Sequence, residues 1–159
     1  MHHDLIRQLD EAVTEVFAVM LNRACASELV RSTPAESAIA RTPRPAPRLT
    51  ASVLFSGPLQ GCCCLQIDQP TAAELTANLI GVPPDLIPPA LSADTAGELC
   101  NMIAGCWKKR HSADLAAGYL SCPIVTLGKC HHAASAFRQA VTVLYRFGRH
   151  HLTVRLAFN

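Results

Sequence analysis

Aromatic side chains are scarce in this sequence, with one Trp, two Tyr and five Phe among 159 residues. A chain of that length can bury a substantial core. Half of its residues are hydrophobic, so the core must be built mainly from Leu, Val, Ile, Ala and Cys. An excess of charge of one sign is also lacking. The formal net charge is +2 with acids and bases spread along the chain, which gives no electrostatic basis for binding nucleic acid or an anionic membrane. No apolar run reaches the roughly 18 to 20 residues that span a bilayer. The N-terminal MHHDLIRQLDEA has neither the basic start nor the apolar centre of a signal peptide, and a cytoplasmic location is expected.

Cys-x-x-Cys spacing is absent, although there are eight cysteines. Cys62, Cys63 and Cys64 are contiguous, and in a strand neighbouring residues point to opposite faces. Without a secretion signal there is no route to an oxidising compartment, so reduced cysteines serving as small core hydrophobes are expected. The nearest approach to a metal cluster is Cys130-His131-His132. Adjacent residues do not readily converge on one ion, and no metal site is expected. His131, His132, His150 and His151 fall at loops or strand ends, where solvated histidines are common, and receive no role.

Apolar residues at helical spacing predict a first helix from Asp4 to about Ala26, carrying Leu5, Leu9, Val13, Val16, Phe17, Met20 and Leu21 on one side. A short extended piece, Glu28–Arg31, follows. The stretch from about 32 to 48 has prolines at 34, 43, 45 and 47, which exclude regular helix. It reads as a Pro/Arg-rich loop inserted in a single domain, 1–159, because one N-terminal helix would not fold alone. LTASVLFSG and GCCCLQID predict a hairpin from Leu49 to Asp68. A second helix starts around Asp68-Gln-Pro70, with Thr71-x-x-Glu74 as a capping box, and stops at Gly81. GYLSCPIVTLG reads as one strand. Two more follow, RQAVTVLYRF and HHLTVRLAF, with Gly148 at their turn. The fold class is α+β, a mixed and mostly antiparallel sheet packed with helices.

The central segment is Leu91–Arg110, LSADTAGELCNMIAGCWKKR. At about 100° per residue it places Leu99, Met102, Ile103, Cys106 and Trp107 toward a core. Asp94, Glu98, Asn101, Gly105 and Lys108 form a stripe on the other side. A solvated helix face usually carries long charged side chains. Here it carries acids, an amide and a glycine, with Gly97 and Ala104 beside them. Each interior glycine costs about 1 kcal/mol relative to alanine, which suggests that something approaches closely. The same residues admit a structural reading. Thr95-x-x-Glu98 fits a capping box, Ser92 is a competing cap, and the glycines could face a neighbouring element of the chain.

The run Asp94-x-x-x-Glu98-x-x-Asn101, followed by Met-Ile-Ala-Gly105, resembles the signature of the CheX and CheC family of chemotaxis phosphatases. The flanking elements, VLFSGPLQGCCCLQI, TAAELTANLIG and GYLSCPIVTLG, recur in the family's order. Glu11 and Glu15 are followed three residues later by Thr14 and Ala18, so the motif occurs once, as in the single-site CheX branch. The resemblance implies a CheC/CheX-like fold, a homodimer paired through sheet edges, and a phosphatase acting on a phosphorylated CheY-like receiver domain. It further implies that Asn101 positions the attacking water and that Glu98 pairs with the receiver's lysine. Asp94, Gly97 and Gly105 would support docking, and the partner receiver would supply Mg²⁺. A non-catalytic receiver-binding adaptor of the same fold is the alternative, and a redox or metal sensor built on the cysteines is a third reading.

Overall fold

The computed structural model describes residues 2–32, 47–111, 118–128 and 136–159. Apart from its two ends, the expected Pro/Arg-rich loop lies outside them, as do Cys130, His131 and His132. Helix α1 (His2–Leu21) buries Leu5, Leu9, Val13, Val16, Phe17 and Leu21. Met20, expected on that stripe, is exposed. The helix stops short of Ala26 because Asn22 turns left-handed at φ 49°, a conformation asparagine tolerates better than most residues. Strand β1 (Ala26–Ser32) extends the expected Glu28–Arg31 piece at both ends.

Strands β2 (Arg48–Ser56) and β3 (Gly61–Asp68) form the expected hairpin. Helix α2 (Gln69–Ile80) begins differently from the capping-box expectation. Asp68 is the N-cap, its carboxylate accepting from the Thr71 N–H at 2.8 Å. Glu74 turns outward to Arg149 at 2.7 Å and His150 at 2.5 Å. Gly81 ends the helix at φ 74°, with its N–H bonded to the Ala77 carbonyl at 2.8 Å.

GYLSCPIVTLG is two strands rather than one, β4 (Tyr119–Leu120) and β5 (Ile124–Leu127). Pro123 cannot donate to a ladder. Ser121 bridges the break by donating its N–H to the Leu54 carbonyl at 2.9 Å and accepting the Leu54 N–H on Oγ at 3.0 Å. Strands β6 (Gln139–Phe147) and β7 (His150–Phe158) complete a seven-stranded sheet, ordered β1-β6-β7-β3-β2-β4 with β5 also on β2. Every described pairing is antiparallel.

Period-two alternation sorts the sheet into two faces. Leu49, Ala51, Val53, Phe55, Cys63, Leu65, Ile67 and their counterparts on β6 and β7 join the helices in the main core. Cys62, Cys64, Ala140 and Ala157 cluster on the other face. Helix α3 (Pro89–His111) crosses β2 and β3 and packs on α1 and α2. None of the described helices is long and apolar enough to cross a membrane.

At the end of α3 the His111 ring stacks on buried Trp107, centroids 5.1 Å apart, and its Nδ1 lies 3.0 Å from Gln8 Oε1. Burial pushes the His111 pKa below its ordinary value. As pH falls below about 6.5 the unfolded chain therefore binds a proton that the folded chain resists, and stability declines. Denaturant titrations at pH 5 and pH 7.5 should show a smaller pH difference for His111→Gln than for the wild type. An unchanged difference would remove His111 from the acid sensitivity.

Candidate functional site

Helix α3 begins two residues earlier than its expected start because the Pro88 carbonyl accepts from both the Leu91 and Ser92 N–H groups, at 3.0 and 3.2 Å. That excludes both cap readings. Ser92 lies within the helix and is buried, and Thr95 Oγ1 donates back to the Leu91 carbonyl at 3.0 Å. Glu98 is thus in the helix interior, where no free helix-start N–H remains for it to accept from.

The inner side of α3 is as the spacing predicts. Leu99, Ile103 and Trp107 are buried, while Met102 and Cys106 pack at the margin of the core. Cys100 anchors the helix to the sheet, its Sγ lying 3.5 Å from both the Ala51 and Cys63 carbonyls. On the outer side Asp94 and Glu98 are exposed, and Asn101 and Gly105 are half-exposed. Among the described residues the side chains of Asp94, Glu98 and Asn101 have no hydrogen-bond partner. Residues three apart on a helix are neighbours, with Cβ atoms about 5 to 6 Å apart, so Glu98 and Asn101 present a carboxylate and a carboxamide side by side.

The small residues beside this pair need a correction. Ala104 is buried in the core. Gly97, expected to admit a partner, is buried against the chain's own β5 segment. A Cβ there would lie 3.1 Å from Val125 Cγ2 and 3.5 Å from the Pro123 ring. The close approach that this glycine permits is therefore intramolecular. Gly105 differs. A Cβ there would meet only Leu120 Cδ1, at 3.9 Å, and the position stays half-open. Lys108, at the end of the outer stripe, is half-buried and donates to the Gly118 carbonyl just before β4. Strands β4 and β5 thus form a wall along one side of the stripe.

The other described glutamates are engaged. Glu74 binds Arg149 and His150, and Glu28 binds Arg146 and His151. Arg110, reaching from the end of α3, ties down Glu11 at 3.7 Å and also Glu15, and Arg7 adds a second contact to Glu11 at 2.7 Å. Among the described glutamates only Glu98 has no partner. Glu11 and Glu15 of α1, the acids that would open a second motif, are thus ion-paired within the chain. Burial opposes ionisation of Glu74, but the Arg149 hydrogen bond and the charges of His150 and Arg149 outweigh it and hold the carboxyl below its ordinary value. Sequence reasoning gave His150 no role. Its contacts to Thr71 Oγ1, 3.2 Å from Nδ1, and to Glu74 fasten α2 to β7. Only the tertiary register of β7 against α2 reveals them.

The shape of the site matters as much as its groups. Glu98 and Asn101 stand on a convex helix ridge. The cavities lined by Arg48, Gln66 and Thr153, by Asp10, Thr14 and Ala18, and by Arg23, Asn78 and Pro84 lie elsewhere. A ridge whose carboxylate and amide have no partner among the described residues is suited to entering a cleft on another macromolecule.

Comparison with known proteins agrees with this architecture. A CheC-like superfamily protein from Shewanella sp. PV-4 superposes with a TM-score of 0.78 at 20% identity, covering 100% of this chain and 99% of that one. The chemotaxis protein CheX from Vibrio vulnificus gives 0.74 at 16% identity, covering 98% and 99%. CheX in the CheX–CheY–BeF3–Mg²⁺ complex from Borrelia burgdorferi gives 0.70 at 18% identity, covering 98% of each chain. These likenesses establish a shared CheC/CheX-like fold. No curated protein matches the sequence. Residues 49–145, more than half of the chain, with β2 from Leu49 onward and the whole of β3, α2 and α3, match the family model of the chemotaxis phosphatase CheX, and the chain belongs to that family.

Proposed function

We propose that this protein is a phosphatase of a CheY-like receiver, hydrolysing the phosphoryl group on the receiver's aspartate. The observation that carries this reading is the pairing, on an exposed ridge, of the one unpartnered described glutamate with an unpartnered amide a helical turn away. An aspartyl phosphate is an acyl phosphate and already has a good leaving group. The added catalyst therefore has to supply position rather than a nucleophile. A carboxamide both donates to and accepts from one water without changing charge, and Asn101 holds that water in line with the departing carboxylate. Glu98 enters the receiver's cleft as the counter-charge to its lysine, which docks α3 and aims Asn101. Asp94 and Gly105 border the contact.

The Mg²⁺ in this scheme is the receiver's own. The Borrelia CheX fold occurs in a complex with CheY, BeF3 and Mg²⁺, which supports a receiver as the partner class. The same reading places the protein in the cytoplasm as a homodimer joined through a sheet edge. Among the described residues, strand β1 pairs only with β6, and β5 pairs only with β2 while exposing Ile124 and Leu127. An unpaired edge of that kind is a template for another strand. The test is the lifetime of a phosphorylated CheY-like receiver, followed by loss of label at substoichiometric protein. The expected result is that one equivalent clears many equivalents of phosphoreceiver. A lifetime unchanged at saturating protein would overturn the phosphatase reading and leave the adaptor reading.

A further inference from the structure

We propose that Cys62 and Cys64 form a thiol–disulfide site on the face of the sheet opposite the helices, closing to an intrachain disulfide in response to a peroxide. The inference is independent of the phosphatase reading, because it rests on a different face and different residues. Both side chains of this i, i+2 pair lie on one face of β3, with their sulfurs 3.8 Å apart in hydrogen-bond contact. Cys64 is flanked across the ladder on both sides. On β2 its partner is Ser52, whose Oγ lies 3.5 Å from the Cys64 sulfur. On β7 its partner is Arg155, a buried cation.

This setting separates the two thiols chemically. The hydrogen bond from Cys62, opposed by burial and aided by Ser52 and the Arg155 charge, holds the Cys64 pKa below the ordinary thiol value. The same hydrogen bond and burial push Cys62 well above it. One sulfur is thus poised as the thiolate nucleophile and its neighbour as the thiol that resolves the product. Cys25 shows the contrast. It is buried beside Asp10 rather than a cation, and burial followed by the Asp10 charge pushes its pKa up to about 12.

The chemistry balances with hydrogen peroxide as oxidant. The Cys64 thiolate attacks one peroxide oxygen, the O–O bond breaks, and hydroxide leaves, giving the sulfenic acid. The Cys62 sulfur then attacks the Cys64 sulfur, the S–O bond breaks, and the Cys62 proton leaves with the hydroxyl as water. The two sulfurs together lose two electrons, which the peroxide gains. An extended strand spaces i and i+2 Cα atoms by about 6.7 Å, at the upper edge of the roughly 4.4 to 6.8 Å range that disulfides span. Closure therefore bends β3 at Cys63, whose carbonyl receives Cys100 of α3. Both thiols are buried, so the oxidant has to be as small as a peroxide.

The experiment treats the folded full-length protein with a few equivalents of hydrogen peroxide, quenches in acid, unfolds, alkylates and maps every cysteine by mass spectrometry. Cys62 and Cys64 should lose alkylation together and regain it after dithiothreitol. Cys62→Ser should leave Cys64 as a sulfenic acid that dimedone traps, and Cys64→Ser should leave Cys62 fully alkylated. The proposal is overturned if both sulfurs stay alkylated while exposed Cys122 is oxidised, if Cys64 bridges to a different cysteine, or if Cys62 is oxidised as readily in Cys64→Ser. The wild-type mapping decides the matter even if a variant fails to fold.

Discussion

Asn101→Ala should lower the dephosphorylation rate of a CheY-like receiver by at least about 100-fold, the usual cost of deleting one positioned hydrogen-bonding group at a reacting centre. Its affinity for the phosphorylated receiver should change by no more than a few-fold. The fold gives a reason to expect the two effects to separate. Asn101 is half-exposed and bonded to nothing among the described residues, so shortening it breaks no internal contact. Alanine is also the better helix former by about 0.6 kcal/mol, and α3 should be at least as stable as before. A loss of rate then reads on chemistry rather than folding. Glu98→Ala should behave differently, weakening binding as well as rate, because its carboxylate docks the ridge and aims the amide. Single-turnover assays over a range of protein concentration separate the maximal rate from the half-saturating concentration. Unchanged turnover in Asn101→Ala would remove the catalytic role from this residue. A receiver that binds wild type tightly and keeps its phosphoryl group would favour the adaptor.

The central helix was legible in sequence because its two faces differ in residue type. Leu99, Ile103 and Trp107 repeat at helical spacing and are all buried, and the acid-amide stripe lies opposite. Strand alternation likewise foretold that Cys63 would part from Cys62 and Cys64, as it does. What stayed hidden were facts set by tertiary register. Thr71-x-x-Glu74 and Thr95-x-x-Glu98 both satisfy the local pattern of a capping box. Yet Asp68 supplies the first cap, while Pro88 and Pro89 set the start of α3 before Thr95 is reached. Nor does local sequence say that Arg110 reaches across to Glu11 and Glu15 while Glu98 has no ion-pair partner among the described residues. That contrast between otherwise similar glutamates strengthens the site assignment, and it needs three-dimensional neighbours to be seen. The glycines of α3 were the most misleading signal. A glycine in a helix reports that its surface is approached, but not by what.

Gly97 and Gly105 therefore make a decisive pair of substitutions. Gly97→Val should destabilise the protein by about 2 to 3 kcal/mol, the upper range for overpacking a filled contact. For a chain of this size that corresponds to a fall in thermal midpoint of roughly 4 to 12 °C. The first added carbon would already stand 3.1 Å from Val125 Cγ2, and two further methyls have nowhere to go unless β5 moves off the helix. Because among the described residues β5 pairs only with β2, the strand can yield, which sets the cost below that of a clash in the central sheet. Gly105→Ala should do the opposite, raising stability by up to about 1 kcal/mol through helix propensity, since its Cβ meets nothing nearer than 3.9 Å. Receiver affinity gives the second readout. If Gly105 borders the docked partner, Gly105→Ala gains stability and loses affinity together, a combination that an internal packing role does not produce. If Gly97→Val proves as stable as wild type, β5 does not fill the space above Gly97, and that side of α3 is open to a partner after all.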